Sequence, residues 1–263
     1  MPVKITSLTN TKIKDLVRRR REPDRGRNEV VIDGCREIRL AVDSGVRVKS
    51  VFYCADYLED RQLLASLEKL GPDIFETSAG VFEKISFGDR REGLVVAGEA
   101  RACSLEDLTL KDPACVLIIE NVEKPGNLGA MLRTCDGVGA AAVLLCDQRT
   151  YIYNPNVVRS SLGAVFSLPV IPCEAGDALR FLKDRGFRIG AAVPGAREVY
   201  HQCDFSARAA VVLGREDSGV SAFWKEAADF QFQIPMRGRV DSLNVSCAAA
   251  VVLYEIARQF HRK

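Results

Sequence analysis

Three segments of the chain combine glycine, proline and polar side chains in a way that could serve a ligand site. The first runs Glu120-Asn121-Val122-Glu123-Lys124-Pro125-Gly126-Asn127-Leu128-Gly129-Ala130-Met131-Leu132-Arg133. Pro125, Gly126 and Asn127 read as a turn, with Asn127 able to cap the helix that follows. Arg133 comes nearly two helical turns later, so amide and guanidinium can point to one side. A cap and a solvated helix arginine would explain the same spacing. In the second segment, Val211-Val212-Leu213-Gly214-Arg215-Glu216-Asp217-Ser218-Gly219, an apolar strand runs straight into glycine. Such a loop needs its backbone to approach something closely, or is an ordinary strand-to-helix loop with Ser221 as the cap. The third, Ile234-Pro235-Met236-Arg237-Gly238-Arg239-Val240-Asp241-Ser242-Leu243-Asn244-Val245-Ser246, ends a strand, passes through a basic loop and starts a helix at Ser242 or Asn244. No GxGxxG follows a strand, which disfavours a nucleotide-binding oxidoreductase.

Short apolar runs alternate with helical patterns around these segments, as in an α/β protein. Strands are predicted at 29–32, 48–53, 74–76 and 94–97, with helices at 34–43, 62–70 and 79–85. Beyond a polar stretch at 99–113 the pattern restarts, with strands at 115–119, 142–145, 188–192, 209–213 and 230–234. Helices are predicted at 128–135, 178–185 and 244–260. Parallel strands with helices between them place a ligand at their carboxyl ends, where the three segments lie. The predicted domains are 1–105 and 106–263.

Of the 263 residues, 47% are hydrophobic and 27% charged, a mix that builds a core and excludes disordered or collagen-like chains. The net charge of +2 is too small to imply nucleic acid, but residues 1–27 hold nine Lys/Arg against three acids. Nine scattered cysteines without a CxxC pair argue against a disulfide framework or zinc ribbon. His201 and His261 are isolated, and no metal cluster is expected. The N-terminus does not read as a signal peptide and no run reaches the ~20 apolar residues of a membrane span, so a cytoplasmic protein without membrane contact is expected.

Taken in order, the three segments resemble the motifs of the TrmH (SpoU) family of the SPOUT superfamily, RNA ribose 2′-O-methyltransferases dependent on S-adenosyl-L-methionine (AdoMet). The first matches Asn-x5-Arg, the second Gly-x-Glu-x-x-Gly, and the third Ile-Pro-Met with Ser-Leu-Asn-Val-Ser. Arg159-Ser160-Ser161-Leu162-Gly163-Ala164 is similar to the family's Arg-x-Ser-x-Gly-Ala. The resemblance implies a C-terminal SPOUT α/β domain with a deep trefoil knot, and AdoMet held by Leu213, Gly214, Ile234, Met236, Ser242 and Leu243. It implies functional roles for Asn127, Arg133, Glu216 and Asn244, and a homodimer built through the catalytic domain. The apolar residues on most faces of the last helix point to the same dimer.

The first ~100 residues resemble the ribosomal-protein-like α/β sandwich that binds RNA in many members of the family. Asp33 stands where Glu is usual, and Arg91-Glu92-Gly93 where Pro-Gln-Gly is commoner. The run Arg18-Arg19-Arg20-Arg21 is expected to touch phosphate. Phe52, Tyr53 and Tyr57 are candidates for stacking on bases, with core packing favoured for Phe52. Relatives acting on transfer RNA tend to lack this domain, so ribosomal RNA is expected ahead of transfer RNA. A non-catalytic RNA-binding or assembly factor is the remaining alternative.

Overall fold

A computed structural model describes residues 3–87, 91–147, 150–205 and 207–261. The chain divides into two compact units. One comprises the residues up to Ala102 together with Tyr151–Ser167, the other Cys103–Thr150 and the residues from Leu168 on.

In the first unit, β1 (Val3–Ile5), β2 (Glu29–Asp33), β3 (Arg47–Tyr53), β4 (Asp73–Thr77) and β5 (Leu94–Glu99) form a sheet in the order β1-β4-β3-β5-β2. β5 runs antiparallel to both its neighbours, whereas β1 and β3 pair parallel with β4. The helices are α1 (Thr11–Arg21), α2 (Cys35–Asp43), α3 (Arg61–Glu68) and α4 (Ala79–Ile85). Asn10 caps α1 by accepting from Lys12 N, and Ile13 and Leu16 bury one face of that helix. They meet Phe52, Phe75, Phe82 and Val95 in the core. Neither β1 nor α1 is visible as periodicity. β1 is short, and the arginine run dilutes the apolar stripe of α1.

The second unit contains β6 (Ala114–Glu120), α5 (Pro125–Val138) and β7 (Ala142–Cys146) before the segment that packs with the first unit. Within that segment lie α6 (Pro155–Ser160) and α7 (Ala164–Ser167). The second unit continues with β8 (Val170–Cys173), α8 (Ala175–Asp184), β9 (Arg188–Ala192), β10 (Glu198–Val199), β11 (Arg208–Leu213), α9 (Ala222–Ala227), β12 (Phe230–Gln233) and α10 (Val245–Phe260). Its seven strands are all parallel, in the order β10-β12-β9-β11-β6-β7-β8. Every residue of β6 is buried, as its central position between β11 and β7 requires. Pro125 opens α5, where its missing N–H costs nothing, and Gly139 ends the helix in the left-handed region. Parallel pairing gathers the loops after β6, β11 and β12 at one edge of the sheet.

Candidate active site

At that edge, Leu213 ends β11 and Gly214 begins a loop that folds back on itself. Arg215 N donates to Gly219 O at 3.1 Å and Gly219 N returns a bond to Arg215 O at 3.0 Å. A Cβ on Gly214 would collide with the Gly219 carbonyl. The close approach suggested by the Gly-x-Glu-x-x-Gly pattern is therefore one arm of the loop against the other. Beside it opens a cleft of about 380 Å³, lined by Leu213, Gly214, Ile234, Met236, Ser242 and Leu243 among others. The six residues singled out for cofactor binding thus share one cavity, with Val220 and Phe232 adding apolar wall.

Three polar side chains from the three segments meet nearby. Asn127 Nδ2 donates to Glu216 Oε1, and Asn127 Oδ1 accepts from Asn244 Nδ2 at 3.2 Å. Asn244 caps α10 by accepting from Ser246 N at 2.9 Å. Asn127 itself is no cap, since Lys124 occupies that position. Freed from the helix end, the Asn127 amide bridges residues 89 and 117 positions away. Such a cluster offers an amide and a carboxylate able to orient a hydroxyl-bearing ligand.

Arg133 stands apart from this cluster. Its side chain is exposed, does not line the cleft and makes no hydrogen bond or ion pair among the described residues. Six residues along an α-helix leave it about 120° round from Asn127, so the two do not share a face.

Other links between the segments escape a motif reading. Glu120, buried at the end of β6, accepts from Ser221 N at 2.8 Å and ties β6 to the residue that caps α9. A carboxylate closing a fully apolar strand is the signal that identifies it, because a buried charge needs a partner. Arg215 pairs with Asp217 at 3.0 Å and with Glu123 at 3.1 Å. Its hydrogen bond to Asp217, reinforced by the charges of Asp217 and Glu123, raises the affinity of the guanidinium for its proton. His201 and His261 are exposed, and among the described residues no group of three or more His, Cys, Asp or Glu side chains could hold a metal.

In the first unit most of the arginine run has internal partners. Arg18 and Arg19 each reach Asp15 at 2.7 Å, and Arg19 also pairs with Glu29 at 3.2 Å. Arg20 donates to the carbonyls of Ile85 and Ser86. Of the four, Arg21 alone lacks a side-chain partner among the described residues, which narrows the expected phosphate-binding face. Phe52 is buried and stacks on Phe75. Tyr53 faces Glu76, and Tyr57 donates to Glu83 at 2.9 Å.

The two departures from the RNA-binding pattern have structural partners. Glu92 accepts from Cys35 N at 2.6 Å, capping α2 where Gly34 has no side chain to do so. Asp33 accepts from Phe87 N, and Arg159 donates to Phe87 O. Burial pushes the Asp33 carboxyl up from 3.8 to about 6, against the hydrogen bond from Phe87 and the charge of Arg159. Gly163, at φ +85°, lies where a Cβ would press on Leu40 and Glu37 of α2. The Arg-x-Ser-x-Gly-Ala stretch therefore packs within the first unit.

Comparison with known proteins agrees with both halves of the chain. Residues 114–254 match the family model described as SpoU rRNA Methylase family, and residues 10–96 match an MRM3-like substrate binding domain. The 23S rRNA (guanosine-2′-O-)-methyltransferase RlmB of Bordetella pertussis is 33% identical over 219 residues, covering 81% of this chain and 89% of the relative. A crystal structure of an RNA 2′-O ribose methyltransferase is 35% identical with a TM-score of 0.86, covering 98% of this chain and 99% of that one. An AdoMet-bound rRNA methyltransferase from Sinorhizobium meliloti is 26% identical with a TM-score of 0.87, covering 97% of each chain.

Proposed function

We propose that this chain, which belongs to the SpoU rRNA Methylase family, transfers a methyl group from AdoMet to a ribose 2′-hydroxyl of structured RNA. The observation that carries the reading is the meeting of Asn127, Glu216 and Asn244 from three distant segments, with Glu216 also lining the cleft. Ribosomal RNA is favoured over transfer RNA, because the substrate-binding match accompanies the catalytic one and a 33% identical relative is named for 23S rRNA.

AdoMet fits the residues present. A cleft of about 380 Å³ lies within the range of small-molecule sites, roughly 300–1,000 Å³. Its apolar walls suit adenine, and the backbone of Gly219 crossing close to Gly214 leaves no room for a side chain at Gly214. Leu213, Gly214, Ile234, Met236, Ser242 and Leu243 would hold the cofactor. Its sulfonium supplies a methyl group already activated for transfer, so the protein's main task is alignment. Asn127, Glu216 and Asn244 orient the ribose. Arg133 binds the neighbouring phosphate and stabilises negative charge growing on the 2′-oxygen.

A homodimer accounts for the absence of Arg133 from the lining of the cleft, with the arginine of one copy serving the cleft of the other. The outer side of α10 supports it: Tyr254 is 59% exposed, and Ala250, Val251 and Ala257 are half-buried. Residues 1–105 act as the RNA-binding part and 106–263 as the methyltransferase part, which we read as threaded into a trefoil knot. All nine cysteines are free thiols, which supports a cytoplasmic setting, and no helix among the described residues is long and apolar enough to cross a membrane.

The deciding experiment maps ribose methylation across total RNA from cells with and without the gene. One ribosomal ribose that loses its methyl group, regained with the purified protein and AdoMet, is expected. An unchanged map in cells lacking the gene would leave the non-catalytic RNA-binding reading in its place.

A further inference from the structure

Away from the cleft, two cysteines end neighbouring strands of the second unit. Cys146 closes β7 and Cys173 closes β8, and the two are register partners in the parallel ladder. Parallel neighbours lie about 4.8 Å apart, inside the Cα separation of roughly 4.4–6.8 Å that a disulfide spans. Both side chains pack into the same hydrophobic cluster, so they occupy one face of the sheet. Cys146 is fully buried, whereas Cys173 is half-buried and lines an opening of about 580 Å³.

We propose that Cys146 and Cys173 form an oxidation site, at which a peroxide converts the two thiols to a cross-strand disulfide. Cys173 reacts first. Its sulfur attacks one peroxide oxygen, the O–O bond breaks, and the departing hydroxide takes up a proton, leaving a sulfenic acid and one water. The Cys146 sulfur then attacks Cys173 Sγ. The S–S bond forms, the S–O bond breaks, and the hydroxyl leaves with the Cys146 proton as a second water. Two thiols and one hydrogen peroxide thus give one disulfide and two waters.

The order of attack follows from the surroundings. The Cys146 thiol donates to Cys173, which lowers the proton affinity of Cys173 in spite of burial and the nearby acids Asp177, Asp147 and Glu174. The same hydrogen bond and burial raise that of Cys146 well above the ordinary thiol range. A half-buried cysteine that a peroxide can reach, beside a buried resolving thiol, is the arrangement that goes on to a disulfide. The bond would close a loop around the whole Tyr151–Ser167 segment, which leaves the second unit after β7 and rejoins it before β8.

The test treats the reduced full-length protein with hydrogen peroxide, alkylates the remaining thiols and maps unreduced peptides by mass spectrometry. Loss of two of the nine thiols, with one linked peptide pair joining Cys146 to Cys173 and reversal by dithiothreitol, is expected. In Cys146→Ser, oxidation should stop at a Cys173 sulfenic acid that dimedone captures. If that variant does not fold, the wild-type map decides alone. Recovery of both residues alkylated while exposed Cys247 is oxidised, or a link from Cys173 to Cys103 in the same opening, would overturn the proposal.

Discussion

On α5, Arg133 projects without a carboxylate or carbonyl partner among the described residues, while on α1 three of four consecutive arginines are held within their own unit. The run of four thus offers one unengaged arginine, Arg21, no more than α5 offers in Arg133 alone. An arginine engaged by Asp15 or by the carbonyls of Ile85 and Ser86 binds phosphate only with the donors it has left, or by giving up those bonds. Arg133 has nothing to give up. Charge read along a chain is a count of groups; charge offered to a ligand is what remains after tertiary acceptors have taken their share.

The largest effect should come from the other element of the candidate site. Gly214→Val sets a side chain against the Gly219 carbonyl and forces the loop open. AdoMet binding by calorimetry should disappear while circular dichroism stays native. A folded variant with unchanged affinity would put the cofactor elsewhere.

Next in size is Arg133→Ala, which should retain AdoMet binding and lose roughly 10²–10³ in transfer rate, the usual loss for one donor to developing charge. Wild-type turnover would show that the unpartnered arginine of α5 has no part in the reaction.

The first unit should answer in stability. Asp33 holds its proton more tightly in the folded chain than in the unfolded one. Its contribution is therefore fully present below its ordinary value of 3.8 and is lost as the pH rises through about 6. Asp33→Asn removes the titration and can still accept from Phe87 N. Relative to wild type, the variant should gain stability between acid and neutral pH by at most about 3 kcal/mol, taking about 1.4 kcal/mol for each tenfold change in proton affinity. Urea titrations on either side of this window measure it, and parallel curves would reject the buried carboxyl as the cause.

The smallest effects separate neighbours on α1. Arg20→Ala should lower stability by about 1–2 kcal/mol through its lost bonds to Ile85 and Ser86. Arg21→Ala should leave stability unchanged and reduce the salt dependence of RNA binding by about one phosphate contact. An equal response of both variants in both measurements would erase the distinction between engaged and available arginines.

Much of this architecture is legible along the chain because its causes are local. The apolar run Ala114–Glu120 needs cover on both faces wherever it sits, and α2, α8 and α10 carry their stripes at helical spacing. The three polar segments declare themselves by residue type and order. Several elements are not legible for equally physical reasons. Proline interrupts β8, while β10 and α9 are too short for a period to register.

The sequence alone determined that strands and helices alternate, where most of them fall, and which polar residues stand in loops at strand ends. Tertiary structure decided which of those residues meet. It takes Asn127 from a helix cap to a bridge between Glu216 and Asn244, and makes the Gly219 carbonyl the neighbour that Gly214 must accommodate. It also packs Tyr151–Ser167 with residues that precede it by half the chain. Periodicity and turn chemistry act over a few residues, whereas these contacts join positions from five to well over a hundred apart. The backbone path between them sets the partner, and no local pattern encodes that path.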